Sequence, residues 1–333
     1  MRSVVITEHG APEVLQVQQR PDARRPGPGE VAIDVAAAGV NFADVMARVG
    51  LYPDAPKPPM VVGYEVAGTV SQVGDEARRF ELGDRVMAGT RFGGYSERVI
   101  AKVANVLALP ERMSFEEGAA VPVNYLTAYL GLMRFGILGA GERVLIHAAA
   151  GGVGIAATQI AKRYGAEVLG TASPHKHDAI RGFGVDHALD YTKPGWEKGL
   201  AKVDLVMDAV GGKSFRRSYG LLRPGGRLVC FGASSVMAGE KRNLVAAARA
   251  AVSMPRFNLI KQMSQSKSVI GLNMLTLWDE MGSLEPYLHA LEELITDGTI
   301  QPVIAKAFSF AQAGEAHRYI SERRNVGKVV LTP

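Results

Sequence analysis

The sequence predicts an α/β chain in two parts, a β-rich beginning and a doubly wound parallel sheet after it. Three observations carry this. Up to Ala120 the chain breaks into short apolar runs, such as Val31–Val35, Val66–Val73 and Arg85–Ala88, separated by Gly, Pro and Asp turns. Beyond Asn124, apolar runs of strand length alternate with stretches of helical spacing, the mark of a parallel sheet covered on both faces. Between the two stands Arg143–Ala161, a short apolar run, a cluster of glycines and a helix-like pattern.

The first residues, Met-Arg-Ser-Val-Val-Ile, read as a strand with no signal peptide, so the cytosol is the expected compartment. Pro26-Gly-Pro-Gly-Glu30 is a tight connector. A short helix is expected between Gly39 and Gly50, with Asn41 near its start. The four prolines of Leu51–Met60 impose a stiff, extended loop. The pattern changes at Ala119, where Val121-Pro122-Val123 leads into an apolar helix from Asn124 to Phe135. Buried strands follow at Val144–Ile146, Glu167–Ala172, Val203–Val210, Arg227–Phe231 and Ser268–Leu272, with a helix near Lys176–Arg181. Proline is tolerated in a first turn, so Glu285-Pro286 opens a helix that runs to about Asp297 and stops at Gly298. Gln301–Pro333 reads as strand, helix and strand.

Composition narrows the class. With 47% apolar and 21% charged residues the 333-residue chain is globular and long enough for two domains. Its formal net charge of +5 comes without arginine-rich tracts or aromatic-basic interleaving. That pattern suits an enzyme with an anionic ligand better than a nucleic-acid binder. The single cysteine, Cys230, excludes an internal disulfide and is expected to be a small buried core residue. No apolar run approaches the ~20 residues of a membrane span.

The strand Val144–Ile146 empties into Gly151-Gly152-Val153-Gly154, and apolar residues then recur through Ile155, Ile160 and Ala161. Strand, glycine turn and helix form the opening of a dinucleotide-binding unit. Glycines there let backbone approach a pyrophosphate, and free N–H groups at the helix start hold it. Against Gly-x-Gly-x-x-Gly the first place is taken by Ala149, and a merely structural βα turn would look similar.

Gly39-Val-Asn-Phe-Ala-Asp44, Gly63-Tyr-Glu-Val-Ala-Gly68, the Asn124–Tyr129 helix and Ala149–Gly154 together resemble the zinc-independent quinone oxidoreductases of the medium-chain dehydrogenase/reductase superfamily. The motifs follow in order across essentially the whole chain. Lys241-Arg-Asn-Leu and Asn325-Val-Gly-Lys-Val are similar to the vesicle-amine-transport homologue branch. The resemblance implies a GroES-like catalytic domain from 1–123 and 275–333, a Rossmann cofactor domain from 124–274, and a homodimer. Zinc-dependent members of the superfamily carry a cysteine where this chain has Asn41 and a histidine where it has Tyr64. Neither residue is a good zinc ligand, and one cysteine cannot build a structural-zinc lobe, so no metal is expected. His175 and His177 are expected to be solvated.

In NAD-binding units an acidic residue follows the second strand. Here Gly170-Thr-Ala-Ser-Pro-His-Lys occupies that point, and no carboxylate comes before Asp178. Ser173 and Lys176 suit the 2′-phosphate of NADPH, although Lys176 also reads as an ordinary solvated lysine. The resemblance adds Tyr191 to this group, places Thr127 beside the nicotinamide, and brings Phe231, Gly232, Leu272, Asn273 and Asn325 toward the cofactor. Thr171, in the same connector, joins them as a cofactor candidate with Gly151, Gly152, Val153 and Gly154. Taken alone, Phe231 and Leu272 are core residues, and Thr127 is a helix residue bonding to the preceding turn.

Without a metal, the charge that builds on a substrate oxygen during hydride transfer must meet hydrogen-bond donors. Asn41, Tyr52 and Tyr64 are the catalytic candidates, since the family pattern places all three around the cleft. Structural alternatives stand beside them: Asn41 as a helix cap, Tyr52 packed on the proline-rich loop, Tyr64 as a half-buried strand residue. Asp44 is read as structural. Quinones and α,β-unsaturated carbonyls are the expected acceptors, because conjugation delocalises the charge. The basic amphipathic segment 240–266 reads as a lid or packed helix, with contact to a membrane or partner as its alternative. An NADPH-binding interaction protein with little turnover and an enoyl thioester reductase are the other functional readings.

Overall fold

The computed structural model describes residues 1–236 and 252–333. A small antiparallel hairpin, β1 (Arg2–Ile6) with β2 (Leu15–Gln19), precedes a seven-stranded sheet. That sheet contains β3 (Glu30–Val40), β4 (Glu65–Val73), β5 (Arg85–Gly89), β6 (Arg98–Lys102) and β7 (Val106–Ala108). It is completed by the chain's last strands, β14 (Ile304–Ser309) and β15 (Lys328–Thr332), in the order β14-β15-β3-β4-β5-β7, with β6 on β3. The long β3 is buried along most of its length, and β15 joins it antiparallel with Val329 opposite Val40.

The second sheet has six strands: β8 (Arg143–Ile146), β9 (Glu167–Ala172), β10 (His187–Asp190), β11 (Val203–Asp208), β12 (Leu222–Cys230) and β13 (Ser268–Gly271). All are parallel, in the order β10-β9-β8-β11-β12-β13. This is the order of dinucleotide-binding sheets, whose switch point lies between the first and fourth strands, here β8 and β11.

Helices among the described residues are α1 (Phe42–Arg48), α2 (Phe115–Gly118), α3 (Pro122–Tyr129), α4 (Gly152–Arg163), α5 (His177–Gly182), α6 (Lys213–Leu221), α7 (Leu259–Gln265), α8 (Met274–Met281), α9 (Glu285–Thr296) and α10 (Ala313–Ser321). Helix α3 is the wall shared by both sheets. Its Tyr125 and Leu126 are buried in an apolar cluster that reaches Met87 and Leu107 on one side and Ile146 and Ile160 on the other.

Several expectations shift. The strand read as Val203–Val210 closes at Asp208, and the one read as Arg227–Phe231 starts at Leu222. β10 went unanticipated because it is a half-exposed edge strand with no continuous apolar run. α6 did so because Lys213-Ser-Phe-Arg-Arg-Ser buries little. Cys230 is only half-buried rather than a core residue, and burial pushes its thiol up to about 12. Of segment 240–266, residues 240–251 lie outside the described residues. In the remainder, Phe257 packs against Tyr219 with ring centroids 5.2 Å apart, but α7 buries none of its residues, and Leu259, Ile260 and Met263 face solvent. The described helix is therefore not packed on its own domain through its apolar residues.

Candidate active site

A cleft of about 1830 Å³ is lined from both sheets: by Asn41, Tyr52 and Tyr64 on one side, and by Gly151–Gly154, Phe231 and Leu272 on the other. The remaining residues singled out in the sequence also line it, namely Thr127, Thr171, Ser173, Lys176, Tyr191, Gly232, Asn273 and Asn325. Lining is not the same as being available, and the hydrogen bonds separate the two.

The glycine turn has little room for side chains. A Cβ on Gly152 would lie 2.9 Å from Asn124 Cγ, and one on Gly154 would lie 2.6 Å from Ala149 Cα. Ala149 tolerates its Cβ because the left-handed conformation falls one residue earlier, on Ala148 at φ 54°. Gly151 is the N-cap of α4, whose first N–H groups open toward the cleft and favour an anion. Thr171 lies beneath this turn and is committed there. Its Oγ1 is 3.1 Å from His147 Nδ1 and accepts from the Ala148 N–H at 3.3 Å. His147 continues to Ser218 Oγ at 3.0 Å, and Ser218 donates to Asp208 at 2.7 Å. Burial lowers the His147 pKa despite Asp208 nearby, which favours a neutral imidazole within the network.

Beyond β9 the side chains converge as a pocket for negative charge. Ser173 Oγ is 3.3 Å from the Tyr191 hydroxyl, and Arg323 lines the same part of the cleft. Burial alone would raise the Tyr191 pKa, but the Ser173 bond with the Arg323 and Lys176 charges lowers it. Lys176 is not the solvated lysine of the alternative reading. It is 6% exposed, and Nζ donates to the carbonyls of Arg323 (2.5 Å) and Asn325 (2.8 Å), so it holds the segment that presents Arg323. Asn325 spends its own amide on Gly327 O at 2.9 Å. His175 is exposed and His177 half-buried, its ring 3.1 Å from Ala172 O. Arg323 carried no motif signal in the sequence.

On the opposite wall Tyr64 is 4% exposed, packed edge-on to Tyr52 at 6.2 Å and tilted against Phe92 at 5.3 Å. Its hydroxyl is buried without a partner among the described residues. Burial, with Asp44 and Tyr52 adding to it, pushes the phenol pKa up, so the group stays a donor. Tyr52 is pushed up to about 12 by burial, Asp54 and Asp44. Thr127 does not bond to its preceding turn; its hydroxyl faces Met274 Sδ at 3.9 Å. Asn273 caps α8 through Leu275 N at 3.0 Å and donates to Asp54 at 3.0 Å, so its amide ties the proline-rich loop to the parallel sheet.

Asn41 is held by more than its own helix. At the start of α1, Asn41 and Asp44 form a capping box, in which Asp44 accepts from the Asn41 N–H at 2.7 Å. Asp44 also accepts from Gly63 N–H and the Tyr95 hydroxyl, each at 3.0 Å. The Asn41 amide is engaged by two residues that the sequence reading did not single out. Its Nδ2 donates to Glu65 Oε1 at 3.0 Å, and its Oδ1 accepts from Lys328 Nζ at 2.6 Å. Lys328 and Glu65 are themselves a buried ion pair. A lone charge inside each apolar run, Tyr64-Glu-Val-Ala and Val326-Gly-Lys-Val-Val, was the available signal.

Residues 27–111 match the family described as the alcohol dehydrogenase GroES-like domain, and residues 183–331 the family described as zinc-binding dehydrogenase. The human synaptic vesicle membrane protein VAT-1 homolog is 38% identical over 340 residues, covering 100% of this chain and 86% of that protein. The chain belongs to the medium-chain dehydrogenase/reductase superfamily. Among solved structures of this superfamily, the Escherichia coli quinone oxidoreductase complexed with NADPH superposes with a TM-score of 0.85 at 30% identity, covering 100% of both chains. The CurK enoyl reductase superposes with a TM-score of 0.86 at 29% identity, covering 99% of this chain and 98% of that one. The superfamily's zinc does not fit the groups found here. An amide, a phenol and a carboxylate already paired to an ammonium are poor zinc donors. Among the described residues no group of three His, Cys, Asp or Glu side chains is placed to hold a metal ion.

Proposed function

We propose that the chain is an NADPH-dependent, zinc-independent reductase of quinones or α,β-unsaturated carbonyls. The observation that carries the reading is the Tyr64 hydroxyl, buried in the cleft wall among aromatic rings with no partner among the described residues. A buried donor without an acceptor is costly unless a ligand supplies one. A substrate oxygen that gains charge as the reaction proceeds is such an acceptor.

The residues present fit a dinucleotide. Gly151–Gly154 and the start of α4 would hold the diphosphate, and Ser173, Tyr191 and Arg323 the 2′-phosphate, with Lys176 fixing the Arg323–Asn325 segment. No carboxylate stands where an unphosphorylated ribose would need one. Thr127, Phe231, Gly232 and Leu272 would border the nicotinamide. When bound, NADPH supplies hydride, whose two electrons go to an electron-poor carbon. The conjugated pair then shifts onto the carbonyl oxygen, Tyr64 donates a hydrogen bond to that oxygen, and solvent protonates the product anion. The similarity to a quinone oxidoreductase and an enoyl reductase supports this class of acceptor.

NADPH oxidation measured against quinones, enones and enoyl thioesters tests the proposal. Turnover of quinones or enones is expected. Preference for thioesters would move the chain to enoyl reduction. Tight NADPH binding with no turnover on any acceptor would make it a binding protein and overturn the proposal.

A further inference from the structure

Lys328 and Glu65 are 3% and 0% exposed, and they meet because three neighbouring strands end at one level. Val329 of β15 pairs with Val40 of β3, which places Lys328 beside Asn41. Ala38 of β3 pairs with Val66 of β4 on its other side, which brings Glu65 to the same point. Gly39 leaves the space, since a Cβ there would lie 2.6 Å from Glu65 Oε1. The second carboxylate oxygen accepts from Val123 N–H at 2.7 Å, at the start of α3. Next to the pair, Gly327 N–H donates to Ala150 O at 2.9 Å, so Lys328 also adjoins the glycine turn.

A buried ion pair is weak evidence for stability, because desolvation offsets most of the attraction. Its geometric effect on Asn41 is stronger. An ammonium has only donors and a carboxylate only acceptors. The amide of Asn41, which alone could lie either way round, can satisfy both in one orientation: Oδ1 toward Lys328 and Nδ2 toward Glu65. One Nδ2 hydrogen is spent on Glu65, and the amide, which lines the cleft near Tyr64, retains a second.

We propose that Lys328 and Glu65 are positioning residues that fix the orientation of the Asn41 amide and thereby present its remaining N–H as a second donor to the substrate oxygen. The proposal rests on the reductase reading for its catalytic part and on the hydrogen-bond pattern for the orienting part.

The test neutralises the pair without leaving a lone buried charge, by combining Lys328→Met with Glu65→Gln. Each single change strands the partner's charge and risks misfolding. In the double variant NADPH affinity and Tm are expected to stay near those of the unmodified protein. With an accepted quinone or enone, kcat is expected to fall about tenfold or more, while Asn41→Ala added on top costs little further. The side-chain amide signal of Asn41 in ¹⁵N NMR, assigned by its loss in Asn41→Ala, is expected to shift and broaden in the double variant. A folded double variant with full kcat and an unmoved Asn41 signal would overturn the proposal. So would a loss of NADPH affinity that accounts for the lost rate, which would make Lys328 a cofactor contact. Should the unmodified protein reduce no acceptor, the reductase reading falls while the NMR arm still decides the orientation. If that double variant fails to fold, Lys328→Gln combined with Glu65→Gln also leaves no lone buried charge and carries the same NMR and kcat readouts, because a glutamine gives Asn41 a donor and an acceptor to choose between.

Discussion

Tyr64 and Asn41 were equivalent candidates as letters, and their surroundings make them different instruments. Tyr64 holds an uncommitted hydroxyl in a desolvated aromatic wall, where a hydrogen bond to developing charge is worth most. Asn41 is already bonded on both ends of its amide. Tyr64→Phe keeps the ring packing and removes only the donor. A kcat lower by roughly ten- to several-hundred-fold, with NADPH affinity unchanged, is the expected result of steady-state kinetics and cofactor titration. A change of about twofold or less would return Tyr64 to packing. Cys230 lines the same cleft, but a thiol held up to about 12 carries almost no thiolate near neutrality and is no nucleophile.

Helix α1 shows how a short element is held in place for a site. Its seven residues are too few to stand alone. Asp44 in its first turn ties the Asn41 and Gly63 backbones and the Tyr95 hydroxyl to one buried carboxyl, and Tyr95 passes on to His317 Nε2 of α10 at 3.3 Å. Burial pushes the Asp44 pKa up to about 7, outweighing these bonds and the Lys328 charge, which pull it down. A folded pKa above the unfolded one means that the native state binds the proton more tightly. Asp44 therefore favours folding most below its ordinary 3.8, and that contribution is lost as the pH rises to about 7. Urea unfolding followed across this interval should show stability falling with pH from this source, and Asp44→Asn should flatten the slope. An unchanged slope in the variant would assign the dependence to another group.

At the scale of the molecule, the cleft exists because the chain returns. β15 joins the first sheet after the second is complete, and its approach carries Arg323, Asn325 and Lys328 to the cleft. Cross-ties then fix the two sheets about the opening: Arg91 with Asp279 through two bonds of 2.7 Å, and Asn273 with Asp54 at 3.0 Å. A ligand that touches both walls stabilises the folded state by about 2.7 kcal/mol at a hundred times its Kd. At equal concentrations NADPH should therefore raise Tm more than NADH in thermal unfolding. Arg323→Ala should remove most of that difference, since a charge-assisted contact contributes roughly 1–3 kcal/mol. Equal shifts by the two cofactors in the unmodified protein would show that the Ser173–Tyr191–Arg323 group reads no 2′-phosphate.

What was legible in the sequence is what local chemistry dictates. Strand, glycine turn and helix at Val144–Ala161 can be read from periodicity and from the positions that exclude a Cβ, and the Asp-free connector after Ala172 from residue type. The edge strand β10 and the polar helix α6 were not legible, because their stability comes from neighbours rather than from their own apolar pattern. Nor could sequence distinguish a side chain that lines the cleft from one already spent. Thr171 under the turn, Lys176 on two carbonyls and Asn273 on a helix cap have the same letters as free donors. Glu65 and Lys328 are 263 positions apart, and only the antiparallel register of β15 and β4 on either side of β3 makes them partners of Asn41. Residue type sets which bonds a group is able to make, and the packing of distant strands decides which of them it has left to give.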